Sequence, residues 1–124
     1  MIKVYVDDER KAPEGWHQCW NIEEAHDFIE ENASEISHID FDYYLSESMP
    51  ERNGSLLIRN LIGMKHYGVK VFHQPIENYT FHSSDNSMNA KMKELVEAEF
   101  GIQKKIPKVQ KSRLQQMRES KGRR

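Results

Sequence analysis

Apolar and polar positions along the chain change period several times, and each change marks an element. Ile2 to Val6 is a short β-branched and aromatic run that predicts a buried strand, and it ends abruptly in Asp7, Asp8 and Glu9. Lys11-Ala12-Pro13-Glu14-Gly15-Trp16 carries Pro and Gly two apart, a loop signal, and His17 to Trp20 is at best a brief second strand. Asn21 then suits a helix cap, with Glu24 three residues on able to reach back to the Asn21 amide. Ile22, Ala25, Phe28 and Ile29 fall at helical spacing to about Asn32 and predict a core-facing stripe.

From Ile36 to Leu45 the period returns to two. Ile39 and Phe41 take one face of the predicted strand and Asp40 and Asp42 the other. Ser46 to Gly54 is a polar loop with Pro50 and Asn53-Gly54. Ser55 leads into a strongly apolar helix through Leu56, Leu57, Ile58, Leu61 and Ile62, with Met64 to Tyr67 as its frayed last turn or a loop. Val69-Lys70-Val71-Phe72 has strand composition interrupted by Pro75. Asn78 to Phe81 reads better as a strand, and it runs into His82-Ser83-Ser84-Asp85-Asn86. A last helix is predicted from about Ser87, with Met88, Met92, Leu95, Val96 and Phe100 at helical spacing, ended by Gly101.

Strands alternating with helices predict an α/β sandwich whose ligands sit at the strand ends. Two strands here end in acids. If they are parallel neighbours, as a helical crossover permits, Asp40 and Asp42 meet Asp7 and Asp8. Four carboxylates at one edge repel one another unless a divalent cation or a basic group neutralises them. The alternative is a solvated acidic turn, with Asp42 capping the next loop. His82 and the following hydroxyls end a further strand, where side chains and the amides of the next helix can cradle a phosphate.

Composition narrows the class. With 124 residues, 37% of them hydrophobic, the chain supports one compact core. No run approaches the roughly 20 apolar residues that span a bilayer, and the lone Cys19 forms no internal disulfide. A soluble, reduced, cytoplasmic protein is expected. The net charge of −2 conceals an asymmetry: residues 104–124 hold nine Lys/Arg and one acid (Glu119), a net +8, leaving −10 on what precedes them. Two parts follow, an α/β domain over residues 1–102 and a basic tail over 103–124. Lys104, Lys105, Lys108, Lys111, Arg113 and Arg118 are the candidate contacts to nucleic acid through its phosphates, or else to an acidic protein partner.

Several segments together resemble a known family. Asp7-Asp8-Glu9-Arg10, then Pro13-Glu14-Gly15-Trp16, Glu23-Glu24-Ala25, Ile36-Ser37 leading to Asp40-Phe41-Asp42, Asn53-Gly54 and His82-Ser83 follow the order of the receiver-like family named for cyclic-phosphate processing. The resemblance covers about residues 1–100 and leaves the tail outside. It implies a receiver-like (flavodoxin-like) α/β fold with a small, mostly parallel sheet of about four to five strands flanked by helices. It also implies an acidic pocket that binds a divalent cation, Mg²⁺ or Mn²⁺, and cyclic phosphates as substrates, such as the 2′,3′-cyclic ends of cleaved RNA or cyclic nucleotides. On that basis Asp7, Asp8 and Asp40 would hold the cation. His82 would be the general acid or base, Asp42 would orient it or complete the metal shell, and Arg10, Ser83 and Ser84 would bind phosphate.

This chain departs from the family pattern in three places. The central His between the two strand-end acids is Phe41, the amide expected after His-Ser is Asp85, and Tyr43-Tyr44-Leu45 follows Asp42. A cyclic phosphodiesterase and a non-catalytic adaptor docking through its basic tail therefore both remain open. A phosphoacceptor receiver domain is a third possibility, although it needs a Lys at a later strand end and no Lys-Pro occurs. A two-histidine phosphoesterase needs a second His-x-Ser/Thr motif, which His17, His26, His38, His66 and His73 do not supply.

Overall fold

The computed structural model describes residues 1–101, so the basic segment from 103 onward lies outside the described residues. The elements in order are β1 (Ile2–Val6), β2 (His17–Cys19), α1 (Ile22–Asn32), β3 (Ile36–Phe41), α2 (Gly54–His66), β4 (Tyr79–Phe81) and α3 (Asn86–Glu99). All four strands are parallel in the order β2-β1-β3-β4. That is the start of the flavodoxin-like order, in which the ligand crevice opens between β1 and β3 at their carboxyl ends.

The crossovers decide which face is covered. The connections β2-α1-β3 and β3-α2-β4 step in the same direction, and right-handed crossovers then put both helices on one side. In addition, α3 packs on α2 and β4. Val4, Val6, Ile39, Phe41 and Tyr79 point to this side and close the core with Ile22, Ala25, Ile29, Leu57, Ile58, Leu61, Met92 and Val96. The β1–β2 connection carries no helix. The opposite face, bearing Lys3, Tyr5, His38, Asp40 and Thr80, therefore has no described helix over it. No described helix is long and apolar enough to cross a membrane.

Local chemistry accounts for the boundaries. Asn21 Oδ1 accepts from Glu24 N at 2.8 Å, whereas Glu24 reaches back to the Trp20 amide rather than that of Asn21. Asn53 caps α2 by accepting from Leu56 N at 3.0 Å. Of the two readings of Met64 to Tyr67 the last helical turn holds, and one expectation changes. The residues from Met64 to His66 continue α2, because a single Gly63 does not break a helix whose Leu57, Ile58 and Leu61 are fully buried. The stretch 69–72 is not a strand: Phe72 takes φ 58°, a left-handed conformation that ends extension, and its ring anchors the connection in the core beside Tyr79.

Gly54 explains the Asn-Gly pair. A Cβ there would press on the Asp42 carbonyl and the Met92 sulfur, so only glycine lets α2 start against the end of β3. The Gly54→Ala variant is expected to lose about 1–3 kcal/mol of stability, as overpacked cores do. Urea unfolding measures it, and an unchanged midpoint would mean that α2 starts elsewhere.

Candidate active site

β1, β3 and β4 end side by side, and their last side chains on the uncovered face converge. Asp7, just past β1, is 1% exposed. Its Oδ1 accepts from the amides of Glu9 at 2.8 Å and Arg10 at 2.7 Å, which turns the chain away from the sheet. Its Oδ2 lies 2.7 Å from His82 Nε2. The other ring nitrogen, Nδ1, lies 2.9 Å from Asp40 Oδ1 on β3. The imidazole thus spans the two strand ends between two carboxylates. Asp42 supplies a third, its Oδ1 accepting from Tyr43 N at 2.8 Å. Ligand atoms of Asp7, Asp42 and His82 all lie within 4.8 Å of one another.

Aromatic packing holds the ring from below. Tyr5, two residues before Asp7 on the same face, stacks on His82 with centroids 4.5 Å apart and planes at 11°. Arg10 donates from Nη1 to the His82 carbonyl at 3.0 Å, which brings a cation to the rim. Gln18 ties the intervening loop, donating from Nε2 to the carbonyls of Asp7 and Arg10 and accepting from Ala12 N.

The protonation states follow from this geometry. Burial disfavours charge on His82, but the hydrogen bonds to Asp40 and Asp7 and the charges of Asp40 and Asp42 outweigh it and raise the imidazole above its usual value. Two donors facing two carboxylates require the doubly protonated ring. Burial, then the neighbouring Asp7, raises the Asp42 carboxyl. Asp8 is raised by burial first and then by Glu9 and Asp7. Asp8 lies outside the cluster and has Glu47 among its electrostatic neighbours. Of the four acids expected to meet, Asp7, Asp40 and Asp42 surround His82. A groove of about 470 Å³ between β4 and α3 lies elsewhere and is lined by none of these acids.

The family model of the cyclic-phosphate processing receiver domain matches residues 2–98. The chain belongs to that family. No curated protein and no solved structure matches it.

Within this receiver domain the remaining expected residues have other partners. Ser83 is 6% exposed, and its Oγ accepts from Asp85 N at 3.1 Å. Ser84 is exposed. Asp85 caps α3 by accepting from Ser87 N at 3.0 Å and Met88 N at 3.3 Å, and it also accepts from the Tyr44 hydroxyl at 2.8 Å. The α3 amides offered to a phosphate by the sequence are thus met by the protein's own carboxylate. Phe41, where the family has His, is fully buried on the helix side and stacks on Phe81. That position faces away from the acids, so its change leaves the His82 cluster intact. Tyr5, Trp16 and Gln18 also belong to the surroundings of the site, and the sequence pattern does not mark them as functional. The period-two pattern of Lys3, Tyr5 and Asp7 was the available signal for the first of them.

A raised imidazole has a defined consequence for stability. In chelator, what His82 adds is fully present below about pH 6.5, its unfolded value, and is lost as pH rises through its higher folded value. The unfolding free energy of the wild type minus that of His82→Gln is expected to shrink with rising pH. A pH-independent difference would exclude the imidazolium.

Proposed function

We propose that this receiver domain binds cyclic phosphates at the β1–β3 strand ends with a divalent cation, and opens the phosphate ring with His82 as proton donor. One arrangement supports the reading: an imidazole held by Asp7 and Asp40, with Asp42 beside it. Three carboxylates against one imidazolium leave the cluster negative, and an anionic ligand is repelled unless a cation joins it.

The donor set fits such an ion. Asp7 and Asp42 offer hard oxygens within 4.8 Å of one another, a range that includes the roughly 4.2 Å between opposite ligands of an octahedral Mg²⁺. Asp7 with Asp42 is favoured over Asp7 with Asp8 and Asp40 as the cation-holding set, because ligand atoms of Asp7 and Asp42 lie within 4.8 Å of one another and Asp8 lies outside the cluster. When bound, the cation would neutralise phosphate oxygens and lend Lewis acidity to the attack of water on phosphorus. Arg10 would hold a further phosphate oxygen. Water would supply the new P–O bond, His82 would give its Nε2 proton to the alcohol oxygen released as the ring P–O bond breaks, and the proton shed by the water would return to the neutral imidazole.

Incubation with a panel of cyclic phosphates, with and without Mg²⁺ and Mn²⁺, tests this. The expected result is cation-dependent ring opening that is lost in His82→Gln. Binding without ring opening would favour a non-catalytic adaptor instead, a reading supported by the way Asp85 occupies the α3 amides and Ser83. For that adaptor, removing residues 104–124 should lower RNA affinity and flatten its salt dependence.

A further inference from the structure

The sheet face that the helices leave uncovered begins at the active site. Tyr5 stacks on His82 and meets Trp16 edge-on, with centroids 6.3 Å apart. Trp16 in turn lies edge-on to His38 at 6.1 Å, and Lys3 Nζ sits over one face of its ring, 5.7 Å from the centroid, leaving the other face for a ligand. Tyr5 is 7% exposed beneath these neighbours, while Trp16 is part-exposed. An aromatic path therefore runs from the reacting imidazole to a tryptophan across the open sheet.

The chemistry of this face selects its occupant. Lys3, His38, Asp40 and Thr80 share it with Trp16, so it is too polar for a packed helix and offers one large ring rather than an apolar stripe. A flat aromatic group edged with hydrogen-bonding atoms fits such a surface, because stacking tolerates any base and the surrounding donors meet its carbonyls. Lys3 and Arg10 also place two cations beside a ligand that carries a phosphate.

We propose that the base of a nucleoside 2′,3′-cyclic phosphate stacks on Trp16 while its phosphate lies at His82. This rests on the cyclic-phosphate reading above and names the class of molecule that carries the phosphate. Trp16 is then a specificity-determining residue, and a cyclic phosphate without a base forgoes its contribution.

The test compares uridine 2′,3′-cyclic phosphate with methyl ribofuranoside 2,3-cyclic phosphate by calorimetry in the presence of Mn²⁺. Wild type is expected to bind the nucleotide about tenfold or more tightly than the base-free ring, the scale of one base–aromatic stack. Trp16→Ala should remove that advantage and leave the base-free ligand unchanged, and Trp16→Phe should keep most of it. In a Trp20→Phe background the nucleotide, and not the base-free ring, should quench the remaining tryptophan fluorescence. Equal affinity of wild type for both ligands would overturn the proposal and spare the active-site reading. Equal weakening of both ligands by Trp16→Ala would also overturn it, since Trp16 would then act only by supporting Tyr5 and His82. Failure of wild type to bind either ligand would remove both readings together.

Discussion

Replacing Asp7 with alanine is expected to cost about 3 kcal/mol of folding stability, the scale on which one partner is lost from a buried ion pair. Asp7 is almost fully buried and satisfies three donors, the amides of Glu9 and Arg10 and the His82 ring. Alanine leaves all three unmet and leaves His82 with one carboxylate instead of two. Asparagine separates the two contributions. Its carbonyl oxygen can still accept from both amides, but its NH₂ would face the Nε2 proton, so His82 must give up that proton, accept from the NH₂ instead and keep a bond to a carboxylate only at Asp40. About half the loss is therefore expected for Asp7→Asn, together with loss of cation affinity in calorimetry. Urea unfolding of the two variants measures the stability changes. Equal losses would show that the amide bonds, not the imidazolium, dominate. Unchanged Mn²⁺ affinity in Asp7→Asn would remove Asp7 from the cation site.

The convergence at Asp7 was legible because two separate signals agreed. A hydrophobic run ending in acids marks a strand end, and alternation through Ile39, Asp40, Phe41 and Asp42 assigns the acids to the face opposite the core. Parallel pairing of Tyr5 with Asp40 and of Asp40 with Thr80 then brings the ends of β1, β3 and β4 together. Alternation alone does not say which residue beyond a strand turns inward. Asp7 does so because two amides of the following turn clamp its Oδ1, and the turn carries Asp8 outward among other acids. Hydroxyls after a strand suit phosphate binding, and by sequence Ser83 is such a ligand. Its burial depends on the α3 cap, in which Asn89 accepts from the Ser83 amide and donates to its carbonyl. Such a bond, six residues distant, leaves no periodic trace. The segment from Val69 to Phe72 shows the converse limit. Its composition suits a strand, yet Phe72 reaches the core through a left-handed turn, and tertiary packing overrides propensity there.

The His82→Gln variant is expected to lower kcat/KM for ring opening by about 10²- to 10⁴-fold, the usual contribution of a positioned acid or base. KM should change little, because the proton matters in the transition state and the cation and Arg10 would carry ground-state binding. Glutamine keeps a donor near Asp40 and fills much of the volume on Tyr5, so the loss reports the missing proton rather than a collapsed site. Asp40 is a positioning residue in this scheme, since it holds Nδ1 while Nε2, paired with Asp7, carries the proton to be given. Its bond and charge are among the causes that raise the imidazole. Asp40→Asn should therefore do less damage to the maximal rate than His82→Gln while lowering the His82 pKa. A protonated donor works only below its own pKa, so the alkaline decline of the rate must move to lower pH in Asp40→Asn. A purely structural Asp40 would reduce the rate without moving that limb. If the limb moves as expected, the proton that opens the ring sits on the imidazole held between β1 and β3.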